Sequence, residues 1–239
     1  MRRSRPPAPT PVPFSPQAAR AHRVGLGLTS EQLTGALAAH GVRLLPTHVL
    51  GWESGELHPT EEELIALARA LWCPAVQLMG VAPATLRDFR VARELSQEQA
   101  ATRIGIGLRS YADAELTGRW TGNEEQSAAL AEALGLTLRD LVRVQGAEQE
   151  LEQRLRQCVD GRWQAQSKAI GKLVPVPRET LGRVLAALQS ERQATAGHWG
   201  AGSWGSSTPA APAPQQPEQA PIDRFWTLLA AQDIGGLRV

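Results

Sequence analysis

The sequence predicts an all-α chain, and three observations predict it. Apolar residues recur at three- and four-residue spacing through much of the stretch between Ser15 and Leu188, the period of helices that bury one face. Several of these stretches open on a capping box, in which a Ser, Thr or Asn side chain accepts an amide three residues on and a Gln or Glu there reaches back. Thr29 with Gln32, Thr60 with Glu63, Ser96 with Gln99 and Asn123 with Gln126 fit that pattern. The order of these signals also occurs twice, which reads as an internal duplication.

Residues 1–13 carry Arg2, Arg3 and Arg5 followed by five prolines. Such a composition is expected to form no core and to remain an extended or disordered basic arm, able to reach a minor groove or phosphates. Structure is expected to start at Ser15-Pro16, an N-cap followed by a proline at the first helical position. Domain 1, residues 14–81, then holds GLTSEQLTGALAAHGVRLLPTHVLGWESG, and domain 2, residues 82–146, holds LSQEQAATRIGIGLRSYADAELTG.

The second of these stretches is a helix-turn-helix on its own chemistry. Ser96 caps a helix marked by Ala100, Ala101 and Ile104, and Gly105 supplies the positive φ past its end. Ile106 can tuck into the angle, and Gly107 opens a second helix with Tyr111, Ala112 and Ala114 on its packed side. Arg109, Ser110 and Asp113 stand on the opposite side, the arrangement of a helix that enters a major groove. In the first copy the interval from Leu33 to Glu53 is five residues longer than that from Ala100 to Glu115. The insertion is expected to extend the earlier helix to His40 and to make Gly41–Leu45 a longer turn before Pro46 opens the later one.

Each copy continues into an amphipathic helix, ELIALARAL or QSAALAEAL, and a short last helix, around Pro74–Met79 or Leu138–Val144. Leu33, Leu37, Val49, Trp52, Leu64, Leu67, Leu71 and Leu78 are expected to fill the first core. Leu86, Phe89, Ala100, Ile104, Tyr111, Leu130, Leu134, Leu138 and Leu141 are expected to fill the second.

Residues 147–194 form a further helical region, with Leu151, Leu155, Cys158 and Trp163 before a break at Pro175-Val176-Pro177 and a helix from Thr180 to Leu188 after it. Two such helices need a cover, either the second domain or a twin in a dimer. Residues 195–221 read as a Gly/Ser/Pro linker in which Trp199 and Trp204 sit oddly. Residues 222–239 form a terminal peptide whose Ile222, Phe225, Trp226 and Leu229 make the apolar stripe of a helix that docks in a groove, on a protein partner or on its own chain.

Leu95-Ser96-Gln97-Glu98, the turn glycine and the Glu115–Gly118 ending together resemble the Cro/repressor, or Xre-type, DNA-binding domain. The resemblance implies two tandem five-helix repressor-like domains, the first divergent, followed by a C-terminal helical region. It implies a DNA-binding transcriptional regulator of actinobacterial type, working as a homodimer on double-stranded DNA in the cytoplasm and nucleoid-associated when bound. It assigns phosphate or base contacts to Gln97 and base contacts to Arg109 and Asp113, with Ser110 beside them. The matching residues of the first copy are Ser30 and Thr47, with His48 as a neighbouring substitute. It also implies that an Arg late in the first helix pairs with the Glu closing the third, which here means Arg23 with Glu53 and Arg90 with Glu115.

Other chemistries lack their residues. Gly25-Leu26-Gly27 and Gly105-Ile106-Gly107 have neither the third glycine nor the preceding strand of a dinucleotide site. The five histidines show no metal spacing, and Cys73 and Cys158 lie too far apart in sequence to form a ligand pair. No enzyme, metal or cofactor is expected. No apolar run reaches membrane-spanning length. The net charge of +1 sets no basic field over the chain, and the first copy is acidic, so the rival reading is a protein-interaction adaptor built from degenerate repeats.

Overall fold

A computed structural model describes residues 11–200 and 220–232. Among the described residues there are fourteen α-helices and no strand, so the fold is all-α. The chain divides into two compact units, Met1–Thr117 and Gly118–Val239. The repeat expected over residues 82–146 straddles that division.

The first unit runs α1 Pro16–Gly25, α2 Ser30–Ala39, α3 Pro46–Ser54, α4 Glu61–Ala70, α5 Ala75–Met79, α6 Leu86–Ala92, α7 Gln97–Ile104 and α8 Leu108–Thr117. Local chemistry sets where these helices begin. The Ser15 hydroxyl accepts the Ala18 amide ahead of Pro16, and complete capping boxes open α2, α4, α6 and α7. The inserted residues of the first copy form the connection between α2, which ends at Ala39, and α3. Leu33, Leu37, Val49, Trp52, Leu64, Leu67, Leu71 and Leu78 close one core with Val91 of α6, at roughly 1.5–3 kcal/mol for each large side chain taken out of water. Val12 also lies in that core, and the Ser15 amide donates to the Leu78 carbonyl at 2.7 Å. The ordered fold therefore starts before residue 14, because one backbone bond and one apolar side chain fasten the end of the expected arm. Arg2, Arg3 and Arg5 lie outside the described residues.

The second unit runs α9 Glu124–Leu134, α10 Leu138–Val144, α11 Glu148–Asp160, α12 Trp163–Leu173, α13 Arg178–Gly200 and α14 Pro221–Ala230. Near its start the buried Trp120 indole donates to the Ser127 hydroxyl at 2.9 Å. The other helices enclose a cluster that includes Leu151, Leu155, Cys158, Ile170, Leu181, Val184, Leu185 and Leu188. Leu138, expected in the second repressor-like core, packs here instead. The helix expected over Thr180–Leu188 runs on to Gly200, into the segment expected to be linker. From Gln189 to Ala196 the chain is mostly good helix formers with no proline, so nothing stops it earlier. Trp204 lies outside the described residues.

The terminal peptide is covered by its own chain. Phe225, Trp226 and Leu229 are buried in the α11–α13 cluster, with Ile222 packed against it, and the Phe225 and Trp226 rings meet edge to face at 5.1 Å. Arg224 pairs with Glu191 of α13 through two hydrogen bonds of 2.8 and 2.6 Å. The expectation that these four residues present an apolar stripe to a partner is corrected. The α11–α13 faces that need a cover and the stripe that needs a groove satisfy each other within one chain.

Candidate nucleic-acid interface

One arginine fastens each of the two expected helix-turn-helix copies. Arg23 Nε and Nη2 donate to the two carboxylate oxygens of Glu53 at 2.6 and 2.7 Å, and Nη1 donates to the Leu28 carbonyl at 2.8 Å. Arg90 Nε and Nη2 donate to Glu115 at 2.6 and 3.1 Å, and Nη1 donates to the Leu95 carbonyl at 2.9 Å. In both copies the third bond reaches the residue immediately before the N-cap, Thr29 or Ser96. A single guanidinium thus ties the first helix, the start of the second and the end of the third, a use of its planar donor fork that a lysine does not share.

Arg90 is the more deeply held. Its side chain is 1 % exposed and that of Glu115 5 %, against 14 % and 8 % for Arg23 and Glu53. Its Nη2 also donates to Glu61 Oε2 at 2.7 Å, and Arg87 Nε donates to Glu61 Oε1 at 2.5 Å. Gln97 completes the network by donating from Nε2 to Glu115 Oε2 at 2.7 Å. Burial lowers the Arg90 pKa, but Glu115 and Glu61 outweigh it and hold the guanidinium above its ordinary value. Burial also raises the Glu61 pKa, and the bonds from Arg87 and Arg90 more than reverse that. Burial first, and the Glu115 charge second, push the Tyr111 phenol upward.

On this frame α7 turns into α8 over Gly105-Ile106-Gly107. Gly105 has φ +77°, which an L side chain rarely adopts, and the Ile106 amide donates to the Ala101 carbonyl at 3.0 Å. Tyr111 and Ala114 are buried on the inner side of α8, while Arg109, Ser110 and Asp113 are exposed on the outer side. Gln97 does not stand free with them, because its amide is engaged by Glu115. Its Nε2 serves as a clasp of the frame.

The first copy has a different outer surface. Ser30 and His48 are half-buried, and the buried His48 Nδ1 has no hydrogen-bond partner among the described residues. Thr47 is exposed, but Leu45 and Leu50 are exposed with it. Gly51, which matches Asp113, is covered by Leu57, whose Cδ1 lies 2.7 Å from where a Cβ would stand.

Glu61 is the residue that sequence reasoning missed. It sits among three acids in the first turn of α4, where a favourable helix dipole explains it equally well, and nothing local links it to Arg87 or Arg90. Among the described residues no three His, Cys, Asp or Glu side chains gather as metal ligands. Cys158 is buried, and burial pushes its thiol up to about 11. No helix among the described residues is long and apolar enough to cross a membrane. No family model, curated protein or solved structure matches the chain.

Proposed function

We propose that the chain is a transcriptional regulator that binds double-stranded DNA through α8, with Arg109 as the principal base-reading residue. The observation that carries this reading is a helix fixed from behind that exposes polar residues beside Leu108 and Leu116. Arg109, Ser110 and Asp113 stand exposed while Arg90, Glu115 and Gln97 lock the same hairpin. A planar arginine so placed has the geometry to pair with guanine, and Asp113 to accept from cytosine or to orient Arg109. One such helix on a chain of net charge +1 neutralises few phosphates, so the proposal includes a homodimer reading two half-sites, in the cytoplasm and on the nucleoid.

A second reading, a protein-interaction adaptor, is favoured by the exposed Leu45 and Leu50 on and beside α3. It assigns protein contact to the first copy. Titration of the full chain with a pool of random duplexes at several salt concentrations tests the leading proposal. The logarithm of the affinity is expected to fall linearly with the logarithm of salt concentration, as counterion release requires. Absence of any salt-dependent binding overturns it in favour of the adaptor.

A further inference from the structure

The second unit carries a cavity of about 1230 Å³ between α12, the Pro175-Val176-Pro177 connection and the first turns of α13. Its walls combine two chemistries. Trp163, Val176 and Leu181 supply apolar surface, while Lys168, Lys172, Arg178 and Arg183 supply four cations against the single carboxylate of Glu179. Lys168 and Lys172 are the only lysines in the sequence. They stand one turn apart on α12, where like charges four residues apart destabilise a helix. Neither they nor Arg178 forms an ion pair among the described residues. Arg183 has only a 3.4 Å contact with the Thr180 hydroxyl. Elsewhere on the same unit arginines do find carboxylates, Arg154 with Glu150, Arg156 with Glu152 and Arg224 with Glu191.

Two glycines inside helices, Gly171 and Gly182, line this site, each at a cost of about 1 kcal/mol relative to alanine. A Cβ on Gly171 would already touch Leu181 Cδ2 at 3.4 Å, and one on Gly182 would touch Trp163 Cη2 at 3.4 Å. The cavity also borders the start of α13, the positive end of a helix of 23 residues.

We infer that this cavity binds a small organic anion, a carboxylate or phosphate carried on an apolar acyl or aromatic body. The body lies against Trp163, Val176 and Leu181, and the acid group faces Lys168, Lys172 and Arg178. Concavity and apolar walls favour such a ligand over a nucleic-acid backbone, which tracks basic ridges and grooves without needing an enclosed apolar floor. The inference does not depend on DNA binding by α8.

Calorimetric titration of the full chain below the micellar concentration tests it, with dodecanoate, dodecyl phosphate, 2-naphthoate, dodecanol and inorganic phosphate as probes. At least one of the three amphipathic anions is expected to bind with 1:1 stoichiometry, and which one binds distinguishes carboxylate from phosphate and acyl from aromatic. Dodecanol and inorganic phosphate are each expected to bind at least about tenfold more weakly, as loss of the charged bonds or of the apolar contact requires. Lys168→Gln with Lys172→Gln is expected to lower anion affinity about tenfold, and Lys168→Arg with Lys172→Arg to restore most of it, with unchanged helical content by circular dichroism. Three results overturn the inference: no binding by any of the three anions, equal binding of dodecanol, or anion affinity unaffected by the double Gln variant. A fourth is loss of salt-dependent duplex binding in that variant with no anion bound by the parent chain, which would assign these cations to DNA.

Discussion

In the first copy Arg23 holds Glu53 and the Leu28 carbonyl, and in the second Arg90 holds Glu115 and the Leu95 carbonyl, by the same three donor positions. The helices so held present different surfaces. Beyond Arg90 and Glu115, α8 exposes Arg109, Ser110 and Asp113 together with Leu108 and Leu116. Beyond Arg23 and Glu53 stand Leu45, Leu50 and a glycine covered by Leu57. The frame of a helix-turn-helix and the surface it displays are therefore separable. A copy can keep the first while its outer face takes on another chemistry.

The largest difference between the copies should be in stability. Arg90→Ala leaves Glu115 buried beside Tyr111 without its cation, at a cost of about 3–5 kcal/mol. Arg23→Ala opens a pair that water already reaches and should cost nearer about 2 kcal/mol. Urea unfolding of the two variants measures both. Equal losses would mean that the Glu61 and Gln97 arms of the second network contribute nothing beyond the shared frame.

The next difference concerns DNA. On a duplex selected from the random pool, Arg109→Ala should lose about 1–3 kcal/mol of affinity and relax preference at one base pair. Thr47→Ala, at the matching place in α3, should lose less. Fluorescence anisotropy at one fixed salt concentration compares them, and equal losses would show the first copy reading bases although its outer side carries no counterpart of Arg109 and Asp113.

Much of this comparison is legible in the sequence because it rests on local rules. The capping boxes, the positive-φ turn at Gly105 and the apolar spacing of Leu33, Leu37, Ala100 and Ile104 need no knowledge of distant residues. The Arg23–Glu53 and Arg90–Glu115 pairs are readable only through the resemblance, since 30 and 25 residues separate the partners. Glu61 and the role of Gln97 are not readable at all, because both depend on which helices the fold brings beside Arg90. The terminal stripe of Phe225, Trp226 and Leu229 illustrates the same limit. Periodicity shows that it must be covered, and only packing shows that α11 and α13 cover it.

Helix capping should erase the contrast between the copies. Thr29→Ala and Ser96→Ala each remove one half of a complete capping box at an exposed helix start, so each should cost about 1 kcal/mol. The two losses should agree within the error of urea denaturation, whatever the surfaces nearby do. A much larger loss for Ser96→Ala would show that its cap also supports the Arg90 bond to the Leu95 carbonyl next to it.

The smallest expected effect is a dependence on acid carried by Glu61, which stands on α4 of the first copy and pairs with Arg87 and Arg90 of the second. Burial raises the pKa of that carboxyl, but Arg87 and Arg90 reverse this and hold it below its ordinary value in the folded chain. A carboxyl with a lowered folded pKa stabilises the fold fully above its unfolded value, about 4.3, and loses that contribution as pH falls through the folded value. Glu61 is partly exposed, so solvent screening limits the contribution to about 1 kcal/mol or less. Glu61→Gln should therefore be less stable than the parent at pH 7 and converge with it as pH falls through the folded value of Glu61. Urea unfolding across that range decides the point. A deficit that persists unchanged into acid would mean that the substitution had disturbed packing between α4 and α6, and that charge at Glu61 does not link the two copies.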